Sequence, residues 1–392
     1  MTRPRICIIR RSYYPAETHV RRNAESLAAA GYSVDVVCLR GPGEPAREVV
    51  DGVAVYRLPL QARRGALGLY AVEYCAFFAL AAAAVTWLHL RRRYAAIEAD
   101  SMPDLLVFAG LVPRLLGARL VLYLFESMPE LWAQKRGLPV GHWGVRLLCW
   151  QERASCALAD SVVCCHDMAR EALVRRGVPE AKVTVVLNVP DERAFRLRPH
   201  PPTAADGVLR VVQHGTITPN YGIQVVLEAL QLLEPRLKVQ FDVLGRGEYR
   251  PALEALARRL GVEDRVAFHG YVTSERLLEV LCRADAGLVP MLCEYQSPNK
   301  MFEYVALGVP VIASDLRTFR QHFGGDEILY FRTGDPADLA RALRWAIRHR
   351  QRLRGFAARA WQRYQGYRWT TMKERYLGIY RRLAGEAGRG EP

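Results

Sequence analysis

The chain has 392 residues, with 55 Lys+Arg against 40 Asp+Glu, a formal net charge of +15, and 51% hydrophobic residues. That length supports two or three domains, each able to bury its own core, which excludes a small fold that depends on disulfide staples. The nine cysteines form no CxxC pair and no zinc-like spacing with histidine, so they read as buried small hydrophobes in a reducing compartment.

The positive charge favours an anionic partner: a nucleotide sugar, a lipid phosphate or a membrane surface. Nucleic acid is set aside, because the arginines are spread over many helices and there is no RNP, zinc-finger or basic-zipper pattern. Residues 1–5 lead straight into the first apolar strand with no signal-peptide pattern, so the expected location is cytoplasmic.

In chain order, residues 6–9 read as a strand, 19–30 as a helix opened by AETHVRR, and 34–39 as the next strand. Residues 70–88 form an apolar stretch that would reach about 28 Å as a helix, near the hydrocarbon thickness of a bilayer. Three readings stay open for it: a core helix, an interfacial helix on an anionic membrane, and a true span. Glu73 and seven alanines weigh against the span, while Arg63, Arg64 and Arg91 to Arg93 flank it as headgroup contacts would. Strands follow at 120–124 and 162–165 with a helix at 154–159 between them, so strand and helix alternate as in a parallel sheet wrapped by helices.

RLRPHPPTAADG, residues 196–207, is the best linker. The alternation then restarts with strands at 208–213, 239–244, 266–269 and 286–289, and helices at 224–233 and 251–260. A strand ends at His214 and turns at Gly215, and LGRGEYR places Gly245 and Arg246 after another strand, where ligands bind in open sheets. SPNKMFEYVALGVPVIASD, residues 297–315, carries the most chemistry. Ser297 can cap a helix, Pro298 fits its first turn, and the NH groups of Asn299 and Lys300 then face an oxygen anion. Lys300 is one of only five lysines against fifty arginines, and Glu303 follows too deep in the helix to be a cap. The tail breaks at 366–370, and residues 384–392 are expected to fray.

The 297–315 segment resembles the signature helix of the retaining GT-B glycosyltransferases, the family 4-like group (glycosyl transferases group 1) that moves sugars from nucleotide donors. Residues 5–40 resemble that family's first strand, loop, helix and second strand, and LNVPDERAF resembles the approach to its interdomain linker. The resemblance implies an α/β fold of GT-B architecture, with two doubly wound Rossmann-like domains facing a central cleft. Residues 1–200 would form the acceptor side, 207–368 the nucleotide-sugar side, and helix 370–385 would pack back on the first. It also implies that Glu303 holds the donor ribose while the turn Ser297, Asn299, Lys300 meets the diphosphate.

Departures from the family pattern matter. The family's diphosphate-neutralising arginine and lysine are replaced by Thr216 and Tyr221, which leaves Lys300, Arg246, and Arg21 or Arg22 as candidates to compensate. The family's glutamate eight residues before Glu303 is Tyr295 here, with Glu294 one place off as the candidate for the donor sugar. Where histidines are common in the first domain, this chain has Asp100 with Ser101, and Phe125 with Glu126; Asp100 and Glu126 are candidates for orienting the acceptor hydroxyl. His19 and Arg21 are acceptor-side candidates. No DxD motif ends a strand, so no cofactor or metal is expected.

These features predict a sugar transferase that takes a nucleotide-sugar donor and a saccharide or lipid-linked acceptor, in the cytoplasm or peripheral on the inner face of a membrane. The rival readings are a nucleotide-sugar epimerase of the same fold and a donor-binding pseudoenzyme. A dehydrogenase is disfavoured because no GxGxxG turn follows the first strand.

Overall fold

The computed structural model describes residues 3–62, 67–139, 141–198, 206–295 and 299–387. The chain divides into two units, residues 1–188 with 370–392, and residues 189–369.

The first unit begins with β1 (Arg5–Tyr13), α1 (Thr18–Ala29), β2 (Ser33–Leu39), β3 (Arg47–Val50), β4 (Val53–Leu58), α2 (Leu67–Arg92) and β5 (Ala96–Asp100). A 3-10 segment (Asp104–Gly110) runs into α3 (Leu111–Leu115), followed by β6 (Arg119–Leu124), α4 (Met128–Lys135), α5 (Trp143–Leu158), β7 (Ser161–Cys164), α6 (Asp167–Arg175) and β8 (Val183–Val185). The sheet order is β3-β4-β2-β1-β5-β6-β7-β8, parallel except for the β3–β4 hairpin. Its central strands are apolar on both faces, as Cys7, Ile8, Ile9, Val36, Val37, Val121 and Leu122 show by being fully buried.

The second unit holds β9 (Leu209–His214), α7 (Ile223–Gln231), β10 (Val239–Leu244), α8 (Arg250–Leu260), β11 (Val266–Gly270), α9 (Ser274–Arg283) and β12 (Ala286–Val289). It continues with α10 (Asn299–Leu307), β13 (Val311–Ser314), α11 (Arg317–Arg320), β14 (Leu329–Phe331), α12 (Pro336–Arg348) and α13 (Arg350–Tyr364). Its all-parallel sheet is ordered β11-β10-β9-β12-β13-β14 around a core that includes Leu209, Val211, Phe241, Val243, Leu288 and Ile312. Both sheets reverse direction once, between β1 and β5 and between β9 and β12. Connections leaving such a pair diverge to opposite faces, so a crevice opens beyond the carboxyl ends of those strands.

The break between the units falls after Asn188, earlier than the proline-rich 196–207 segment. Composition marked the irregular stretch, but hydrogen bonding ties residues before it to the second unit. Glu192 pairs with Arg368 at 3.0 Å, and the Arg198 NH donates to the Leu307 carbonyl at 3.5 Å. Residues 199–205 of the expected linker lie outside the described residues.

α14 (Trp369–Ala387) ends the described chain, and from Thr370 onward it belongs to the first unit. Its anchor is polar: the Tyr376 hydroxyl donates to both oxygens of the fully buried Glu98 on β5, at 3.1 and 3.0 Å, and the Tyr380 hydroxyl donates to the same carboxyl. Burial lifts the Glu98 pKa to about 7, with the tyrosine hydroxyls pulling the other way. A carboxyl whose folded pKa lies above its unfolded one stabilises the fold while protonated. That contribution is complete below the ordinary value of 4.5 and is lost as pH climbs through about 7. Glu98→Gln keeps the shape and removes the titration, so denaturant melts should show the wild type's fall in unfolding free energy across this window and a flatter profile in the variant.

Candidate functional site

The crevice of the second unit is built on backbone contact. Gly215 follows β9 with φ of +105°, and Gly245 follows β10 with φ of +138°, a region that favours glycine. A Cβ on Gly245 would sit 1.9 Å from the Gly215 carbonyl oxygen, so the two strand ends touch main chain to main chain. The Gly215 NH donates to Leu244 at 2.8 Å, the Ile217 NH to Arg246 at 3.0 Å, and the Gly245 NH to Gly270 at 2.7 Å, lacing three strand ends into one floor. The loop after β12 joins this floor through the Leu292 NH, which donates to the Asn220 carbonyl at 2.9 Å.

Over that floor stands the first turn of α10. A Cβ on Gly215 would lie 2.7 Å from Lys300 Cε, so glycine is what leaves room for the lysine stem. The Lys300 ammonium sits 3.2 Å from the centroid of the Tyr221 ring, and the Tyr221 carbonyl accepts from Gln213 Nε2 at 3.2 Å. Lys300 Nζ is enclosed and has no hydrogen-bond partner among the described residues. Burial draws its pKa down to about 7, opposed by the Glu303 carboxylate one turn along. An aromatic face offers a cation some attraction but no acceptor, so the three ammonium donors are unsatisfied. Acceptor-rich anions fit that deficit.

Glu303 is half-buried, with Oε2 3.0 Å from His214 Nε2, close but too poorly aligned for a hydrogen bond. Oε1 is left without a donor among the described residues. The next residue, Tyr304, presents its ring edge to His214 and donates its hydroxyl to the Val212 carbonyl at 3.1 Å, which fixes the rotation of α10 against β9. His214 was given no role from sequence. The available signal was a histidine closing a strand directly before the turn glycine.

The other donor-side candidates divide. Thr216 is exposed on the turn, and Arg246 is exposed with its guanidinium 5.2 Å from the Tyr271 ring centroid. Asn299 is the first residue of α10, while Ser297 and Pro298 lie outside the described residues. Glu294 is redirected from the expected sugar contact: its oxygens accept from the backbone NH groups of Arg317 and Thr318, at 3.1 and 3.2 Å, so it caps α11. A carboxylate just ahead of a helix start in space satisfies orphan amides first, and sequence spacing could not reveal that start.

In the first unit, His19 lies near the start of α1, with Nε2 3.3 Å from Asn188 Nδ2 and its ring 5.5 Å from that of Phe125. Burial lowers its pKa to about 3, and the positive charges of Arg22 and Arg10 act in the same direction, so His19 is a neutral imidazole. Arg10 lies over Phe125 at 4.6 Å, and Ser101 Oγ accepts from the Phe125 NH at 3.2 Å. Glu126 follows β6 and is half-buried.

Two expectations are corrected here. Asp100 is fully buried, not presented to an acceptor; burial raises its pKa and the adjacent Glu98 carboxylate adds to the rise, so the pair retains a proton. Arg21 is engaged away from the strand ends, by Glu25 at 2.5 Å and Asp51 at 3.2 Å. His166, His269 and their surroundings are structural: His166 caps α6 through the Ala169 NH, and His269 pairs with Asp242 at 2.7 Å.

Two doubly wound units, the second with a buried, unpaired lysine at a helix start over its switch point, define a protein of GT-B-type fold. Residues 16–189 match the glycosyl transferase 4-like domain, and residues 209–349 match the glycosyl transferases group 1 family. The chain belongs to the family 4-like, group 1 glycosyltransferases of GT-B fold. Its fold is similar to that of a sucrose-phosphate synthase from Thermosynechococcus elongatus, at TM-score 0.78 and 21% identity, covering 98% of this chain and 100% of that one. It is also similar to the Anabaena protein HepE solved in complex with UDP, at TM-score 0.72 and 15% identity, covering 97% and 100%. A phosphatidyl-myo-inositol mannosyltransferase from Mycolicibacterium smegmatis is 28% identical over 169 residues, 43% of each chain, so the match spans less than half of that relative.

If Lys300 is the diphosphate's counter-charge, binding above neutral pH must draw a proton onto it. Calorimetry of UDP or GDP in two buffers of different ionisation enthalpy should record uptake of about one proton at mildly alkaline pH in the wild type, and none in Lys300→Met. Equal uptake in both would remove Lys300 from the contact.

Proposed function

We propose that the chain transfers a hexose-like sugar from a nucleotide-sugar donor to an envelope saccharide or glycolipid, with retention of anomeric configuration and without a metal ion. The observation that carries this reading is the enclosed, unsatisfied ammonium of Lys300 at the amino end of α10, on the same helix as Glu303. The UDP complex of the similar Anabaena fold and the phosphatidyl-myo-inositol substrate class named for the mycobacterial relative support the donor and acceptor classes.

In this reading, negative charge grows on the departing diphosphate as the bond between the anomeric carbon and the phosphate oxygen breaks. The first-turn amides of α10 meet part of it: a helix start contributes about 0.3–1 kcal/mol per charge, and up to about 2 when partly buried. That is too little for a large rate effect, and Lys300 supplies the remaining charge in an enclosed setting where it acts more strongly. The acceptor oxygen bonds the anomeric carbon from the face the leaving group vacates, and its proton passes to the departing phosphate. Oε1 of Glu303 accepts from the donor ribose, while Oε2 lies beside His214 at the strand end. The reaction is placed in the cytoplasm, at the inner face of the membrane when the acceptor is a lipid.

Thermal shift against a panel of nucleoside diphosphates and their sugars tests the reading. A matching ligand at a hundredfold excess over its dissociation constant should stabilise the wild type by about 2.7 kcal/mol, and Glu303→Ala should lose most of that response. Equal shifts in both proteins would take Glu303 out of the site. Isomerisation of the donor sugar with no acceptor present would instead make the chain an epimerase, and binding without transfer to any lipid extract would make it a pseudoenzyme.

A further inference from the structure

The first unit carries an apolar face that the sequence revealed only in part. Within Ala71–Arg92 of α2, the most apolar window has a mean hydropathy of 1.7, yet only 22% of that window is buried inside the fold. Phe77, Ala81, Val85 and Leu88 form its inward stripe, while Val72, Leu80, Trp87 and Leu90 face outward. Two further elements add to it. On α3, Leu111, Val112 and Leu115 are exposed, Leu115 to 78%. On α5, Trp143, Leu147 and Trp150 are spaced four and three apart, so they share one stripe, with the tryptophans 73% and 66% exposed.

Topology puts the three helices on one side. The connections β4 to β5, β5 to β6 and β6 to β7 all travel in the same direction across the sheet. Right-handed crossovers therefore place α2, α3 and α5 on the same face. The 3-10 segment Asp104–Gly110 packs against both α2 and α5 and continues directly into α3, which makes the surface continuous.

Charge identifies the occupant. The acids of this face are consumed internally: Glu73 by Arg11 at 2.7 Å, Glu130 and buried Glu152 by Arg176, and Asp160 by Arg114 and Arg119, while Asp104 is buried. Arg91, Arg93, Arg136, Arg146 and Arg153 are exposed with no carboxylate partner among the described residues, and Arg91 lies 3.9 Å over the Trp87 ring. Large exposed tryptophans and leucines rimmed by arginine, with the acids withdrawn, match the headgroup layer of an anionic bilayer. α2 stays on the fold in doing so: Arg11–Glu73, the Tyr74 hydroxyl on the Met102 carbonyl at 2.8 Å, and Arg92 on Asp35 at 2.8 Å pin both its ends.

We propose that the α2–α3–α5 face of the first unit docks flat on an anionic lipid surface, with Trp143, Leu147, Trp150 and Leu115 reaching the acyl boundary and the arginines lying among the headgroups. This is independent of the sugar-transfer reading, since its test uses no donor or acceptor.

The full chain is sedimented with phosphatidylglycerol–phosphatidylcholine vesicles and with phosphatidylcholine vesicles, at low and high salt. The wild type should sediment with the anionic vesicles at low salt and be released by salt. The paired changes Trp143→Ser/Trp150→Ser and Arg146→Gln/Arg153→Gln should each weaken partitioning by about tenfold or more. Unchanged melting temperatures of both variants show that the fold is intact. A wild type that ignores anionic vesicles, or variants that partition like it, would overturn the proposal. So would a wild-type dimer in sedimentation velocity that the tryptophan changes dissolve, which would give the face to a second copy of the chain.

Discussion

A buried ammonium without an acceptor is the constraint around which the second unit is organised. The Gly215–Gly245 main-chain contact clears the space, the stem of Lys300 fills it, and the Tyr221 ring closes over the charge. Desolvation works against the charged form, and Glu303 works for it. Neither the ring nor the carboxylate supplies the oxygen lone pairs that three N–H donors require. The unit therefore keeps a polar group in a state that a diphosphate would relieve, stability given up where binding recovers it.

This arrangement also accounts for an anomaly of composition. Relatives are expected to carry cationic side chains near the turn after β9, and this chain has Thr216 and Tyr221 there. Lys300 reaches the same place from α10, and an aromatic residue at 221 gives it a surface to lie on. Arginine would be a poor substitute: its planar fork needs several aligned acceptors, whereas an ammonium on a flexible stem can follow a phosphate through a changing geometry. In the first unit burial acts on other groups. His19 is held neutral, and the Glu98–Asp100 pair keeps a proton through burial, while the tyrosine hydroxyls of α14 donate to Glu98 and oppose that shift.

Much of this was legible in the sequence, for physical reasons. Strands buried on both faces leave unbroken apolar runs, so β1, β2, β6, β9 and β10 could be read directly, and the helix from Asn299 to Leu307 declared itself by pattern and by the glycine that ends it. Lys300 stood out because lysine is scarce here. What failed was whatever depends on surroundings that the fold supplies. Glu294 caps α11 and Arg21 meets Asp51, partners distant in sequence, while Asp100 ends fully buried. The stripe Trp143, Leu147, Trp150 was passed over because the apolar residues of α5 are not confined to one face, and only burial shows that the exposed side is the aromatic one.

The most direct test is the titration of Lys300 itself. With five lysines in the chain, carbon-13 labelled lysine gives a side-chain spectrum simple enough to assign by single substitution. In the free protein the Lys300 Cε signal should titrate with a midpoint near 7, far below the usual 10.5, and the midpoint should move strongly alkaline when UDP or GDP is added. A midpoint at the ordinary lysine value that the nucleotide leaves unchanged would contradict the account.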